Sequence, residues 1–229
     1  MRLRRRSADF VIKGCGLRKL QNGKVQKFLR AFLDEIDLQH VRDSYPCRSL
    51  TERAEMYRYM HETYVKDAPI DYLEFGVFQG ESLRQWTGLN KHAESRFFGF
   101  DSFEGLPENW RPAQGQGHFH VGGAVPQIDD ARVQFVKGWF EDTVPKFAQT
   151  FSNKNRLVLH LDADLYGSSM IPLVHFTRFM SQGTILIFDE FYDRDHEFKA
   201  LQDWQKIFRK QFRIVAEMQN YARVCVELA

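Results

Sequence analysis

Apolar residues in this chain gather in short runs that end abruptly at polar ones. Runs of this kind read as buried strands of a parallel sheet. Asp71-Tyr72-Leu73-Glu74-Phe75 is the first, and it meets Gly76. Residues 96–100 form the second and end at Asp101, and residues 132–136 form the third. The fourth is Arg156-Leu157-Val158-Leu159-His160-Leu161, and the fifth is Thr184-Ile185-Leu186-Ile187-Phe188. Residues 212–216 and 222–226 close the series as a hairpin. Helices are expected at 80–90, 168–180 and 197–210. Pro172 is expected in the first turn of its helix, where a missing amide hydrogen costs nothing. The alternation predicts an α/β fold with a mostly parallel sheet covered on both faces.

The front of the chain, from about residue 17 to 65, reads as interrupted helix. Val25, Phe28, Leu29 and Phe32 form one helical stripe, and Ser44-Tyr45-Pro46 is a break. Thr51 is expected to cap a helix with Glu52 in its first turn, carrying Met56, Tyr57, Met60 and Tyr64. The division expected is therefore a helical extension or lid over 1–66 and an α/β domain over 67–229. Residues 108–130 are rich in Gly, Pro, Gln and His and lack periodicity. Their length suggests an active-site loop.

Composition narrows the function classes. The formal charge of the 229 residues is +2, and the one dense basic cluster is Arg2, Arg4, Arg5 and Arg6. A solvated tail explains that cluster better than a nucleic-acid arm, so no nucleic-acid partner is expected. Cys15, Cys47 and Cys225 form neither a CxxC pair nor a disulfide framework, which fits a reduced, cytoplasmic setting. The basic start lacks the apolar stretch of a secretory signal, and no run approaches a membrane span. The 21 phenylalanines suggest aromatic packing rather than ligands.

The chemistry concentrates at strand ends. The fourth run leads into Asp162-Ala163-Asp164, and the fifth into Asp189-Glu190. In a parallel sheet these carboxylates meet at one rim, where such folds bind ligands. Any one of them alone often just caps a helix. Four together repel without a cation, so a hard metal ion or acid–base chemistry is the stronger reading. His160 reads as a strand residue rather than a catalyst. Tyr166, His118 and His120 could reach substrate or simply face solvent.

At the other end of the series, Glu74-Phe75-Gly76-Val77-Phe78-Gln79-Gly80 turns from strand to helix, with Ser82 near the helix start. Its glycines sit four apart, unlike the dinucleotide fingerprint. Asp101 ends the next strand, where a carboxylate can accept both hydroxyl hydrogens of a ribose. Adenosine occurs in nicotinamide dinucleotides and in S-adenosylmethionine. The missing pyrophosphate glycines favour the latter, and an acidic pocket suits its positive charge.

The segments Leu73-Glu74-Phe75-Gly76-Val77, Gly80-Glu81-Ser82, residues 99–107, Val136-Lys137-Gly138-Trp139-Phe140 with Asp142-Thr143, residues 161–166 and Asp189-Glu190-Phe191 together resemble the macrocin O-methyltransferase family. They occur in family order over roughly residues 50–205. The resemblance implies a Rossmann-like class I methyltransferase fold with a mostly parallel seven-stranded sheet and an antiparallel C-terminal strand. It further implies methyl transfer from S-adenosylmethionine with Mg²⁺ or another divalent cation. Asp162, Asp189 and Glu190 would bind the metal, and Asp164 would be the general base. Glu74, Gly76, Ser82, Asp101 and Ser102 would line the cofactor site, with Asp130 on the adenine side.

This chain has Asp189-Glu190-Phe191 where the family often has Asp-Asp-Tyr, which puts Glu190 nearer the edge of the metal set. The acceptor implied is a small-molecule diol, glycosyl by resemblance, in a natural-product pathway. A catechol-like diol suits the same metal chemistry. A catalytically silent nucleotide- or sugar-binding protein of the same fold is the alternative, and retention of Asp164 counts against it. A metal-dependent hydrolase fits the carboxylates but not the adenosine-type front half. Homo-oligomers are common among such proteins, and the front helices offer contact surface.

Overall fold

In a computed structural model of the chain, the described residues are 48–191, 193, 195–218 and 222–229. The stripe at 25–32, the break at 44–46, the arginine cluster, Cys15 and Cys47 lie outside them. The strands are β1 (Arg48–Leu50), β2 (Ile70–Phe75), β3 (Arg96–Asp101), β4 (Val133–Lys137), β5 (Arg156–Leu161), β6 (Ile185–Phe188), β7 (Phe212–Met218) and β8 (Arg223–Leu228). The helices are α1 (Arg53–Met60), α2 (Glu81–Leu89), α3 (Phe140–Thr150), α4 (Tyr166–Phe176) and α5 (Glu197–Phe208). A π-helical turn, His61–Val65, continues α1, and a 3₁₀ turn, Thr177–Phe179, continues α4.

The sheet order is β1-β7-β8-β6-β5-β2-β3-β4. β8 is antiparallel to both neighbours, and the other pairings are parallel. All seven expected strands are present, with the antiparallel strand at the C-terminus. β1 adds a short eighth at the edge, paired with β7, where only helix was expected. Its pairing partner lies more than 160 residues away in sequence, so local pattern carries no trace of it.

Period-two alternation assigns each strand's residues to opposite faces. Leu73, Phe75, Leu159, Leu161, Leu186 and Phe188 join one core with residues of α3, α4 and α5. Tyr72, Val158, Ile185 and Ile187 join a second core with Met56, Tyr57 and Met60 of α1 and Leu83 and Trp86 of α2. The abundant phenylalanine is spent on the first face. Phe75 stacks on Phe100 at 4.7 Å, and Phe176 lies 5.7 Å from Phe75 and 5.6 Å from Phe151. Residues 48–66 are thus woven into the sheet and the second core, so the division at 66/67 marks no break in packing.

Three helical details differ from the sequence reading. α1 starts at Arg53 with Glu52 rather than Thr51 at its N-cap, and no side chain caps it. α4 starts at Tyr166, so Pro172 sits in its interior rather than its first turn. α3 was not anticipated, because Pro145 interrupts its pattern. Both prolines lack the amide hydrogen of a regular helical bond. Tight packing offsets that loss: Pro172 is buried, as are the neighbouring Leu173 and Phe176.

Strand order reverses between β2 and β5, and a crevice opens there at the carboxyl edge. Gly76 follows β2 with φ 91°, and a Cβ on it would stand 1.8 Å from the carbonyl oxygen of Asp162. Only glycine tolerates both the angle and the approach. Gly76→Ala is expected to lower stability by roughly 3 kcal/mol, the scale of a steric clash with fixed backbone. Urea unfolding measures it, and an unchanged midpoint contradicts the close approach.

Candidate active site

A cavity of about 360 Å³ occupies this crevice. Glu74, Gly76, Ser82, Asp101 and Ser102 line one lobe, with Trp139 and Phe140 as its apolar wall. Asp162, Asp164, Asp189 and Glu190 line the other. The folded chain therefore joins the two groups of expected residues in one space, on either side of Gly76. Trp110, Arg111, Gln114 and Phe119 of the long 108–130 loop also line it.

In the first lobe, Asp101 is largely committed. Its Oδ2 accepts the amides of Val77 and Phe78, each at 2.8 Å, and its Oδ1 accepts that of Phe103 at 2.7 Å. Three of about four acceptor positions on a carboxylate are filled. Asp101 braces the loop after β2 and keeps about one further acceptor position facing the cavity. Ser102 accepts the Glu104 amide at 3.1 Å and donates to the Gly105 carbonyl at 3.3 Å. Glu74 and Ser82 are 1% and 3% exposed, and both are held by tyrosines. Asp130 is not among the lining residues. It grips Arg132 with both oxygens, at 2.9 and 2.6 Å, and that pairing holds its carboxyl below the usual range.

The acidic lobe is built by two strand ends and two clamps. β5 stops at Leu161, and Asp164 takes φ 59°, a left-handed conformation that aspartate enters more readily than most residues. That turn brings Asp164 into the cavity and near Glu190. Burial chiefly, then the charges of Glu190 and Asp189, push its carboxyl up to about 7. Glu197, at the start of α5 and fully buried, accepts the amides of Ala163 and Glu190 and so ties the two acidic loops together. Burial first, then Asp189, raises its carboxyl well above the ordinary range.

Arginines counter this charge. Arg223 Nε and Nη2 donate to Asp189 at 2.6 and 3.0 Å. Arg53 of α1 reaches the same carboxylate at 2.7 Å and lies 3.7 Å from Asp162. Arg111, stacked on Trp110 at 3.6 Å, lies 3.1 Å from Asp193 and 3.4 Å from Glu190. Burial and Asp189 still raise the Asp162 carboxyl well above its ordinary value. Among the described residues, Asp162, Asp164, Asp189, Glu190, Asp193 and Glu197 outnumber these three guanidiniums two to one, so positive charge is in deficit among them.

That deficit fits a divalent cation. His160, Asp162 and Asp189 present ligand atoms within 4.8 Å of one another. Both Asp189 oxygens already hold the Arg223 guanidinium and Oδ2 also holds Arg53, so a cation there competes with these contacts. Glu190 stands apart from this cluster and faces Arg111 instead. Tyr166 is directed away, donating to Asp203 at 3.1 Å. His118 and His120 are exposed, and neither lines the cavity.

Sequence reasoning passed over Arg53, Glu197, Tyr57 and Arg223. A signal did exist for two of them. Arg53 shares the helical stripe of buried Met56, Tyr57 and Met60, and Glu197 shares that of Leu201 and Trp204. A charge on an apolar stripe needs a partner. Arg223 gives no such signal, because its partner is chosen by the antiparallel return of β8.

The sequence matches the macrocin-O-methyltransferase (TylF) family model over residues 50–228. It is 30% identical over 162 residues to the 8-demethyl-8-(2,3-dimethoxy-alpha-L-rhamnosyl)-tetracenomycin-C 4'-O-methyltransferase of Streptomyces olivaceus. That match covers 61% of this chain and 60% of the relative. Mycinamicin III 3''-O-methyltransferase of Micromonospora griseorubida is 26% identical over 188 residues, covering 70% and 72%. Among solved structures, the O-methyltransferase NovP superposes with a TM-score of 0.59 at 22% identity, covering 76% of this chain and 78% of that one. The calicheamicin methyltransferase CalS11 gives 0.58 at 19% identity, covering 97% and 91%. These two likenesses establish the fold.

The raised carboxyls make stability depend on pH. Their folded pKa values exceed the unfolded ones, so the native state binds more protons and stability falls as pH rises through about 7. In EDTA, the melting temperature is expected to drop between about pH 5.5 and about pH 8. Asp164→Asn should flatten this slope, and Arg53→Met should steepen it by leaving Asp162 less compensated. Parallel slopes in all three proteins would contradict the charge deficit.

Proposed function

The chain belongs to the macrocin O-methyltransferase family, and from that premise we propose that it methylates a hydroxyl of a glycosylated small molecule with S-adenosylmethionine, assisted by a divalent cation. The observation that carries the reading is one cavity with an adenosyl-type lobe and a charge-deficient acidic lobe on either side of Gly76. The rhamnosyl group in the first relative's name supports a sugar acceptor. No helix among the described residues is long and apolar enough to cross a membrane.

The first lobe fits the cofactor in its chemistry. Ser82 and Glu74 supply buried polar groups for an amino-acid end, Asp101 keeps one acceptor position for a ribose hydroxyl, and Trp139 and Phe140 give a flat apolar wall for adenine. S-adenosylmethionine supplies the electrophilic methyl group on a sulfonium. Asp162 and Asp189 are the residues that would hold Mg²⁺, which supplies orientation of the acceptor and a lowered hydroxyl pKa.

Asp164 is the general base in this reading. Its carboxyl near 7 suits proton abstraction at neutral pH far better than an ordinary aspartate. As it takes the hydroxyl proton, the acceptor oxygen forms its bond to the methyl carbon, and the breaking carbon–sulfur bond leaves its electron pair on sulfur. The Asp164 proton then passes to solvent. Arg111 and Trp110, from the long loop, cover the acidic lobe and limit water. Glu197 acts through its neighbours, because its two amide bonds hold Asp164 and Glu190 at their spacing.

Calorimetry is expected to give S-adenosylmethionine binding in the micromolar range, roughly −8 kcal/mol. Asp164→Asn should keep that affinity within a few-fold and lose at least about 100-fold in turnover on a glycoside acceptor. Normal turnover in Asp164→Asn would remove the base role, and absence of cofactor binding in the wild type would remove the whole reading. Excess EDTA should abolish turnover, and Mg²⁺ should restore it. Activity that survives chelation would exclude the metal.

A further inference from the structure

Glu190 was expected as a third cation ligand beside Asp162 and Asp189, and the fold turns it elsewhere. The ligand atoms that gather within 4.8 Å come from His160, Asp162 and Asp189, without Glu190. Glu190 Oε2 instead accepts from Nη2 of Arg111, in the long loop, at 3.4 Å. Three residues on, the Asp193 amide donates back to the Glu190 carbonyl at 3.0 Å. Asp193 Oδ2 accepts Nε and Nη2 of the same guanidinium at 3.3 and 3.1 Å, and the indole Nε1 of Trp110 at 3.2 Å. One turn after β6 thus holds the long loop with two carboxylates.

Both partners are placed by other contacts. Trp110 is buried with Leu106 and Leu165, and Arg111 stacks on its ring at 3.6 Å. The Arg111 and Gln114 backbones pair with each other, at 3.3 and 2.9 Å. On the opposite side, Glu197 accepts the Glu190 amide at 3.0 Å. Side-chain length then decides the contact. Bonds between a guanidinium and a carboxylate usually measure about 2.7–2.9 Å. At 3.4 Å the glutamate only just reaches Arg111, so an aspartate, one methylene shorter, falls short of it.

Trp110, Arg111 and Glu190 all line the cavity on its acidic side, where the acceptor must lie to reach Asp164. We propose that Glu190 serves the acceptor side of this site rather than its cation: together with Asp193 it clasps Arg111 and fixes residues 108–116 of the long loop as the wall against which the sugar packs. Glu190 is then a positioning residue that acts through Arg111, and the cation set is left to the ends of β5 and β6. This deepens the sugar O-methyltransferase reading and rests on it. The glutamate in place of the aspartate that is frequent in the family has a physical consequence here, since its extra methylene spans the gap to the loop.

The test uses the full chain and three readouts: Mn²⁺ affinity by electron paramagnetic resonance, hydrogen exchange of the loop, and kinetics on a panel of 4-nitrophenyl glycosides. Asp162→Asn is expected to weaken Mn²⁺ at least about tenfold, the scale of a lost ligand, whereas Glu190→Gln and Glu190→Asp stay within about threefold of wild type. Both Glu190 variants and Arg111→Met should speed exchange over residues 108–116 about tenfold. Their KM for the glycoside should rise about tenfold, a larger change than in kcat. Glu190→Asp is the decisive variant, because it keeps the charge and gives up only the reach. If Glu190→Gln loses Mn²⁺ as Asp162→Asn does, or Glu190→Asp binds it more tightly with the loop undisturbed, Glu190 is a ligand and the clasp is overturned. Wild-type loop exchange in both Glu190 variants overturns it too. A wild type that binds no Mn²⁺, or turns over no glycoside, removes that part of the function proposed above, and loop exchange alone then decides the clasp.

Discussion

Six carboxylates stand at or beside the carboxyl ends of β5 and β6, and much of the surrounding structure serves to keep them there. Like charges at this density push one another apart or take up protons. The fold answers with guanidiniums from three distant segments: α1, the long loop and β8. It also uses backbone amides, two of which Glu197 gathers from both acidic loops. Among the described residues the compensation stays incomplete, and burial first, then the neighbouring carboxylates, raises the carboxyls of Asp162, Asp164 and Glu197.

α1 links the two halves of the site. One face of this short helix contributes Arg53 to the acidic lobe and, one turn later, Tyr57, whose hydroxyl lies 3.1 Å from Ser82 of the cofactor lobe. Met56 and Met60 from the same helix are fully buried in the second core, which fixes its rotation. A shift of α1 would disturb the Arg53–Asp189 pair and the Tyr57–Ser82 contact together. Arg53 of this helix lines the same cavity as the strand-end residues.

The strands and the acidic pairs were readable because each is a local pattern. An apolar run of five or six residues that ends in a carboxylate needs no partner to be recognised. The separation of the site into an adenosyl side and an acidic side followed from which strand each residue ends. Less was readable wherever a residue's role depends on a distant neighbour. Asp101 was expected to face a ribose, and its three bonds to the amides of Val77, Phe78 and Phe103 were not foreseen. Asp130 was expected beside adenine; its pairing with Arg132 and its place outside the cavity lining were not foreseen. Pro172 looked like a helix start because packing on its buried side leaves no mark in sequence.

The sequence by itself determined the α/β class, the strand order of chemistry along the chain and the residues that would meet at one rim, because periodicity and strand-end identity are properties of single segments. Tertiary structure decided how much charge those residues retain, because that depends on which guanidiniums and amides the crossovers bring within about 3 Å. It also decided that His160, one residue before the end of β5, faces α1 and α2 rather than the phenylalanine core. The even spacing of side chains along a strand sets the two possible faces, and only the packed sheet says which of them is which.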